Sequence, residues 1–138
     1  MFKQLLIILV ALCLIAGCQQ KSNQTLPGIN QLKEVKEIQI SEFKELGSLN
    51  ENFKEKFTKK DQLEVFKKAL KSAKRQDEPI KIYDYDMKLN FTNGEDKALH
   101  IAKNKKNEII LKYIGDSNAT FAINNEKSKD LIKLINLK

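Results

Sequence analysis

The sequence predicts an α+β domain: a twisted antiparallel sheet of about five to six strands with two helices packed on one face. Three observations carry this. Apolar residues recur at spacings of three and four over Asp61–Arg75, the period of a helix half sunk in a core. Apolar residues alternate at period two in several stretches of the second half. Short turns bearing Gly or Asn join those stretches, which forces successive strands to run antiparallel. With 138 residues, 41% of them hydrophobic and 31% charged, the chain can form one such domain and is not a disordered chain.

The elements follow in order. Val35–Phe43 places Ile38 and Ile40 at period two with Gln39 and Ser41 between them, a strand. Phe53–Phe57 reads as a second short strand after a turn at Leu46-Gly47-Ser48. Over Asp61–Arg75, Leu63, Phe66, Ala69, Leu70 and Ala73 share one helical face, and Lys67, Lys68, Lys71, Lys74 and Arg75 lie away from it. Thr58 or Asp61 can cap its start, and Pro79 blocks its continuation. Tyr83, Tyr85, Met87, Leu89 and Phe91 then share the parity of one long strand, and Asn93-Gly94 signals a hairpin. Leu99 and Ile101 alternate with His100 and Ala102. After a polar turn at Asn104–Asn107 come Ile109, Leu111 and Tyr113, then a turn at Gly115–Asn118, then Ala119, Phe121 and Ile123. Asn125 is placed to cap a last helix that turns Leu131, Ile132, Leu134 and Ile135 to the sheet.

The amino terminus is organised differently. Lys3 precedes an apolar run from Leu5 to Ile15, and Ile15-Ala16-Gly17-Cys18 closes it. A charged head, a short apolar body and small residues at the end are the parts of a secretory signal. A spanning helix needs about 20 apolar residues, and polar Gln19–Asn23 end this run too soon. The stretch resembles the lipobox of bacterial lipoprotein precursors. That resemblance implies cleavage between Gly17 and Cys18 and a diacylglyceryl group on the Cys18 thiol. It also implies attachment to the outer face of the cell membrane, where acyl chains on the new amino terminus hold the protein in the bilayer. The expected organisation is a removed signal over 1–17, a lipidated flexible tether over 18–31, and a single domain over 32–138.

Cysteine usage agrees with export. Of the two cysteines, Cys13 lies in the removed segment and Cys18 is consumed by lipid, so neither disulfides nor thiolate metal sites are expected in the domain. The net charge of +7 suits an anionic membrane surface or wall polymer. Export argues against nucleic acid as the partner. A cell-envelope protein or an anionic wall polymer is the expected partner besides the membrane.

Chemical candidates are few. His100 is the only histidine and is expected on the sheet face opposite Leu99 and Ile101. Asp84 and Asp86, two residues apart, are expected to share a strand face, with Lys88 beside them. His100 with Asp84 or Asp86 is the pair an exported hydrolase would need. No nucleophile elbow, phosphate-binding glycine loop or metal-ligand spacing accompanies it, so neither a catalytic residue nor a cofactor or metal is expected. Tyr83, Tyr85 and Tyr113, with Lys67 and Lys71, form a candidate binding surface, although the parity the tyrosines share with core residues favours their partial burial instead.

The segment from Phe57-Thr58-Lys59-Lys60-Asp61 through Lys67-Lys68-Ala69-Leu70 to Lys74 resembles the helix region of the YhfM-like domain of small bacterial lipoproteins. Ile38-Gln39-Ile40-Ser41 and the tyrosine-bearing strand extend the likeness. The resemblance implies a lipid-anchored extracytoplasmic domain and carries no catalytic residues. The expected function is a non-catalytic binding or accessory module.

Overall fold

The computed structural model describes residues 24–115 and 118–137. A 3₁₀ turn at Ile29–Glu34 leads into β1 (Val35–Glu42) and β2 (Glu55–Phe57). Helix α1 (Lys60–Ser72) is followed at once by β3 (Lys74–Gln76). Then come β4 (Tyr85–Phe91), β5 (Asp96–Lys103), β6 (Ile109–Tyr113), β7 (Thr120–Ile123) and helix α2 (Asn125–Leu134). The seven strands form one sheet in the order β2-β1-β4-β5-β6-β7-β3, with every neighbouring pair antiparallel. The predicted α+β class is the observed one, with a strand more than expected.

That additional strand is β3. The helical pattern predicts α1 running through Arg75, but the helix ends at Ser72, and Lys74–Gln76 pairs with Thr120–Ala122 of β7. Ala73 stays buried at the helix end with an extended backbone (φ −62°, ψ 136°). The predicted caps also shift. Lys59 precedes α1 and makes no side-chain cap, while Asn124, one residue before the expected Asn125, accepts from Lys127 N–H at the start of α2.

Register follows from the alternation. Leu89, Met87, Leu99, Ile101, Ile109, Leu111, Phe121 and Ile123 turn to one face, where Leu63, Phe66, Leu70 and Leu131 of the helices, with Ile135 just after α2, cover them. The hairpin between β4 and β5 turns at Gly94 (φ 88°), a left-handed conformation that a side chain would strain. Ser128 ties α2 to the sheet: its hydroxyl donates to Ile123 O at 2.9 Å and accepts from Ile109 N–H at 3.2 Å.

The folded unit starts earlier than residue 32. Leu26 is 1% exposed in the main core, Tyr113 Oη donates to Pro27 O at 2.6 Å, and Thr25 bridges to Lys74. Residues 25–31 therefore belong to the domain, because Leu26 is an apolar side chain with a core to enter. Cys18, the Gly17–Cys18 bond and the signal segment lie outside the described residues.

Candidate functional site

The second face of the sheet carries the candidate chemistry. Residues of even number on β4 and β5 point there, and cross-strand register aligns Ser41 with Asp86, Asp86 with His100, and His100 with Lys112. His100 is on the expected face. It is not at the surface, however: both His100 and Asp86 are 0% exposed. Two segments outside the strands make the roof. Phe43, just after β1, stacks edge-on against the imidazole at 5.0 Å between ring centroids, and Tyr83, just before β4, lies at 5.2 Å. Tyr83, Ala102 and Ile110, with Phe43, Ile80 and Ala122, form a second small core on this face.

Asp86 is the anchor of this arrangement. Its Oδ1 is in hydrogen-bond contact with His100 Nδ1 at 2.6 Å, and its Oδ2 accepts from Asn50 N–H at 2.8 Å. Asn50 in turn accepts from Ser41 Oγ at its carbonyl oxygen and donates from its amide to Glu42 O at 2.9 Å. The carboxylate thus pins the loop between β1 and β2 across the sheet. A buried carboxylate needs such donors, because leaving it unpaired would cost several kcal/mol. Asp84 is not part of the pair. It lies at a bend, is exposed, and accepts from Lys103 N–H at 2.9 Å.

Two polar atoms on this face have no hydrogen-bond partner among the described residues: His100 Nε2 and Tyr83 Oη. Burial raises the Tyr83 phenol above its ordinary value of 10.0, since the phenolate would lose its hydration. Among the described residues no serine or threonine hydroxyl bonds to His100 Nε2, the contact a Ser-His-Asp triad would make. Among the described residues no group of three or more His, Cys, Asp or Glu side chains is placed to hold a metal ion.

Beside the roofed pair lies an open groove of about 590 Å³. Leu46, Pro79 and Ile80 form its apolar part, and Arg75, Tyr83 and Lys112 contribute polar groups. Asp77 and Glu78 also line it, so its charge is mixed.

The three tyrosines do not make one surface. Tyr83 is buried in the second core, and Tyr113 is buried on the helix side with Lys97 Nζ 5.7 Å from its ring centroid. Tyr85 is half-buried against the main core. The shared parity of Tyr83 and Tyr85 fails because the chain bends at Asp84, before the β4 ladder begins. Lys67 and Lys71 sit on α1, on the far side of the sheet from Tyr83, and Lys67 Nζ reaches Lys33 O at 3.4 Å and Glu64 at 3.9 Å. Phe43 and Asn50, which sequence reading passed over, are the residues that complete the site. Phe43 carried one signal: its odd number sets it opposite Ile38 and Ile40.

Comparison with known proteins adds the fold alone. No protein-family model matches the sequence, and no curated protein is similar to it. A solved structure is similar: a thioesterase-like protein from Clostridium sporogenes ATCC 15579, with a TM-score of 0.62 and 12% sequence identity. The match covers 75% of this chain and 96% of that one. At that identity the two share an architecture.

Proposed function

We infer that this chain is a membrane-anchored extracytoplasmic bacterial lipoprotein whose α+β domain is a non-catalytic binding or accessory module. The observation that carries the reading is Ile15-Ala16-Gly17-Cys18 at the end of an apolar run, followed within a few residues by a chain that enters a folded core at Leu26. No helix among the described residues is long and apolar enough to cross a membrane. The non-catalytic part is supported by the roof over His100, which leaves substrate no approach to Nε2. Replacing Cys18 with Ser tests the anchor. Fatty-acid labelling should vanish and the protein should leave the membrane fraction, and unchanged labelling would overturn the reading.

A second reading is an exported hydrolase using His100 with Asp86. The 2.6 Å contact between them favours it, as does the thioesterase-like description of the structural neighbour. It requires the Phe43 and Tyr83 roof to open. Purified protein should then hydrolyse acyl esters or thioesters, and His100→Gln should abolish turnover while the fold persists. Absence of turnover in the wild type rejects this reading.

A further inference from the structure

The described chain enters the fold along the outer edge of the sheet, against β3. Arg75 N–H, on edge strand β3, donates to Gln24 O at 2.6 Å, and Thr25 bridges to Lys74. Residues 19–23 separate Cys18 from Gln24 at this edge, a reach of at most about 20 Å at full extension. Arg75 also lines the groove on the second face. Whatever holds Cys18 is therefore close to that groove.

The groove rim is where the domain exposes large aliphatic side chains. Among the described residues Leu46 (55% exposed) and Ile82 (78% exposed) are the large hydrophobic side chains that stand out into solvent. Leu46 lines the groove from the loop between β1 and β2; Ile82 does not line it but projects to solvent from the same segment before β4 that supplies the lining residues Ile80 and Tyr83. Lys44, Lys74 and Lys81 are exposed beside them, but so are Glu45, Asp77 and Glu78. With charge so mixed, the recognisable chemistry of the rim is two aliphatic tips on loops, flanked by lysines that can stay at headgroup level.

We propose that this rim is a membrane-contact surface. Leu46 and Ile82 enter the interface of the bilayer that holds Cys18, and the groove opens towards the lipid. The proposal rests on the lipid-anchor reading, which supplies the short connection. The contact is apolar, so it persists at high salt, where attraction to anionic headgroups is screened.

The test uses the full-length precursor processed in cells, purified with its lipid and reconstituted into vesicles of phosphatidylglycerol and phosphatidylcholine. The domain has no cysteine, so single Leu46→Cys and Ile82→Cys variants accept a polarity-sensitive fluorophore at one place. Lys129→Cys on the exposed side of α2 is the control. The expected result is a blue shift at 46 and 82, absent at 129 and retained in 1 M salt. Vesicles that float with the protein but show no shift at 46 or 82 overturn the contact surface while leaving the anchor standing. Protein that fails to float overturns the anchor reading and the contact surface with it. A shift at 46 and 82 that appears without vesicles and grows with protein concentration assigns the rim to self-association and also overturns the proposal.

Discussion

Truncating Asp86 should remove a large part of the domain's stability. The carboxylate is fully buried and satisfies two donors, His100 Nδ1 at 2.6 Å and Asn50 N–H at 2.8 Å. In Asp86→Ala both donors stay buried with no partner, and each costs about 1–3 kcal/mol. The expected loss is about 3–5 kcal/mol, the usual cost of breaking a buried pair from one side. A domain of this kind is stable by about 5–15 kcal/mol, so the variant should unfold at a much lower denaturant concentration. Asp86→Asn keeps the shape but sets an amide against one of the two donors, and should lose about 2 kcal/mol. The double variant Asp86→Leu with His100→Phe should recover much of the loss, because it removes the imidazole with the carboxylate and keeps a ring for Phe43 and Tyr83. Asn50 N–H remains unpaired in it, so recovery should be incomplete. The assay is urea unfolding of the unlipidated mature chain followed by circular dichroism, with the slope compared between variants. Stability of Asp86→Ala within about 0.5 kcal/mol of wild type would refute the reasoning, since a surface substitution does no more.

Two further outcomes are expected. Tyr83→Phe should raise stability by about 1 kcal/mol at neutral pH, because it removes a buried hydroxyl without a partner. The folded-state phenol value lies above 10.0, so the Tyr83 contribution is intact below that value and is lost as pH climbs through the folded-state one. The gap between the variant and wild type should therefore widen above pH 10 in thermal unfolding followed against pH. Leu26→Ala should cost about 2–5 kcal/mol, the range for emptying a buried leucine site. Residues 18–31 acting purely as a tether would leave the denaturation midpoint unchanged.

Much of the fold was legible because the sheet is built from consecutive hairpins. Leu89 and Leu99 must share a face, so paired positions on β4 and β5 must sum to an even number. The observed register, with Leu89 opposite Lys97 and Met87 opposite Leu99, obeys this and sets Asp86 opposite His100. The pairing of acid and imidazole was thus within reach of parity. Their burial was not, because Phe43 and Tyr83 arrive from irregular segments whose path alternation does not describe. Strand β3 was hidden for a different reason. Lys74-Arg75-Gln76 has no apolar alternation, being a solvated edge, and it continues the lysine-rich face of α1 without a break. Leu26 was hidden by Pro27-Gly28, which mark a turn whether or not the flanking residues are packed.

The position of β2 and β3 gives α1 a mechanical role. These strands are the two edges of the sheet, and they are joined in sequence only by α1 and the residues on either side of it. Seven strands span about 29 Å from edge to edge when measured along the sheet. The 13-residue helix covers about 20 Å of that, and Thr58, Lys59 and Ala73 add about 10 Å when extended. The crossing has almost no slack. It ties the two edge strands together, so that neither edge can peel far outward without pulling on the other. Loss of α1 should release both edges together, so their amides should exchange with solvent as one cooperative unit.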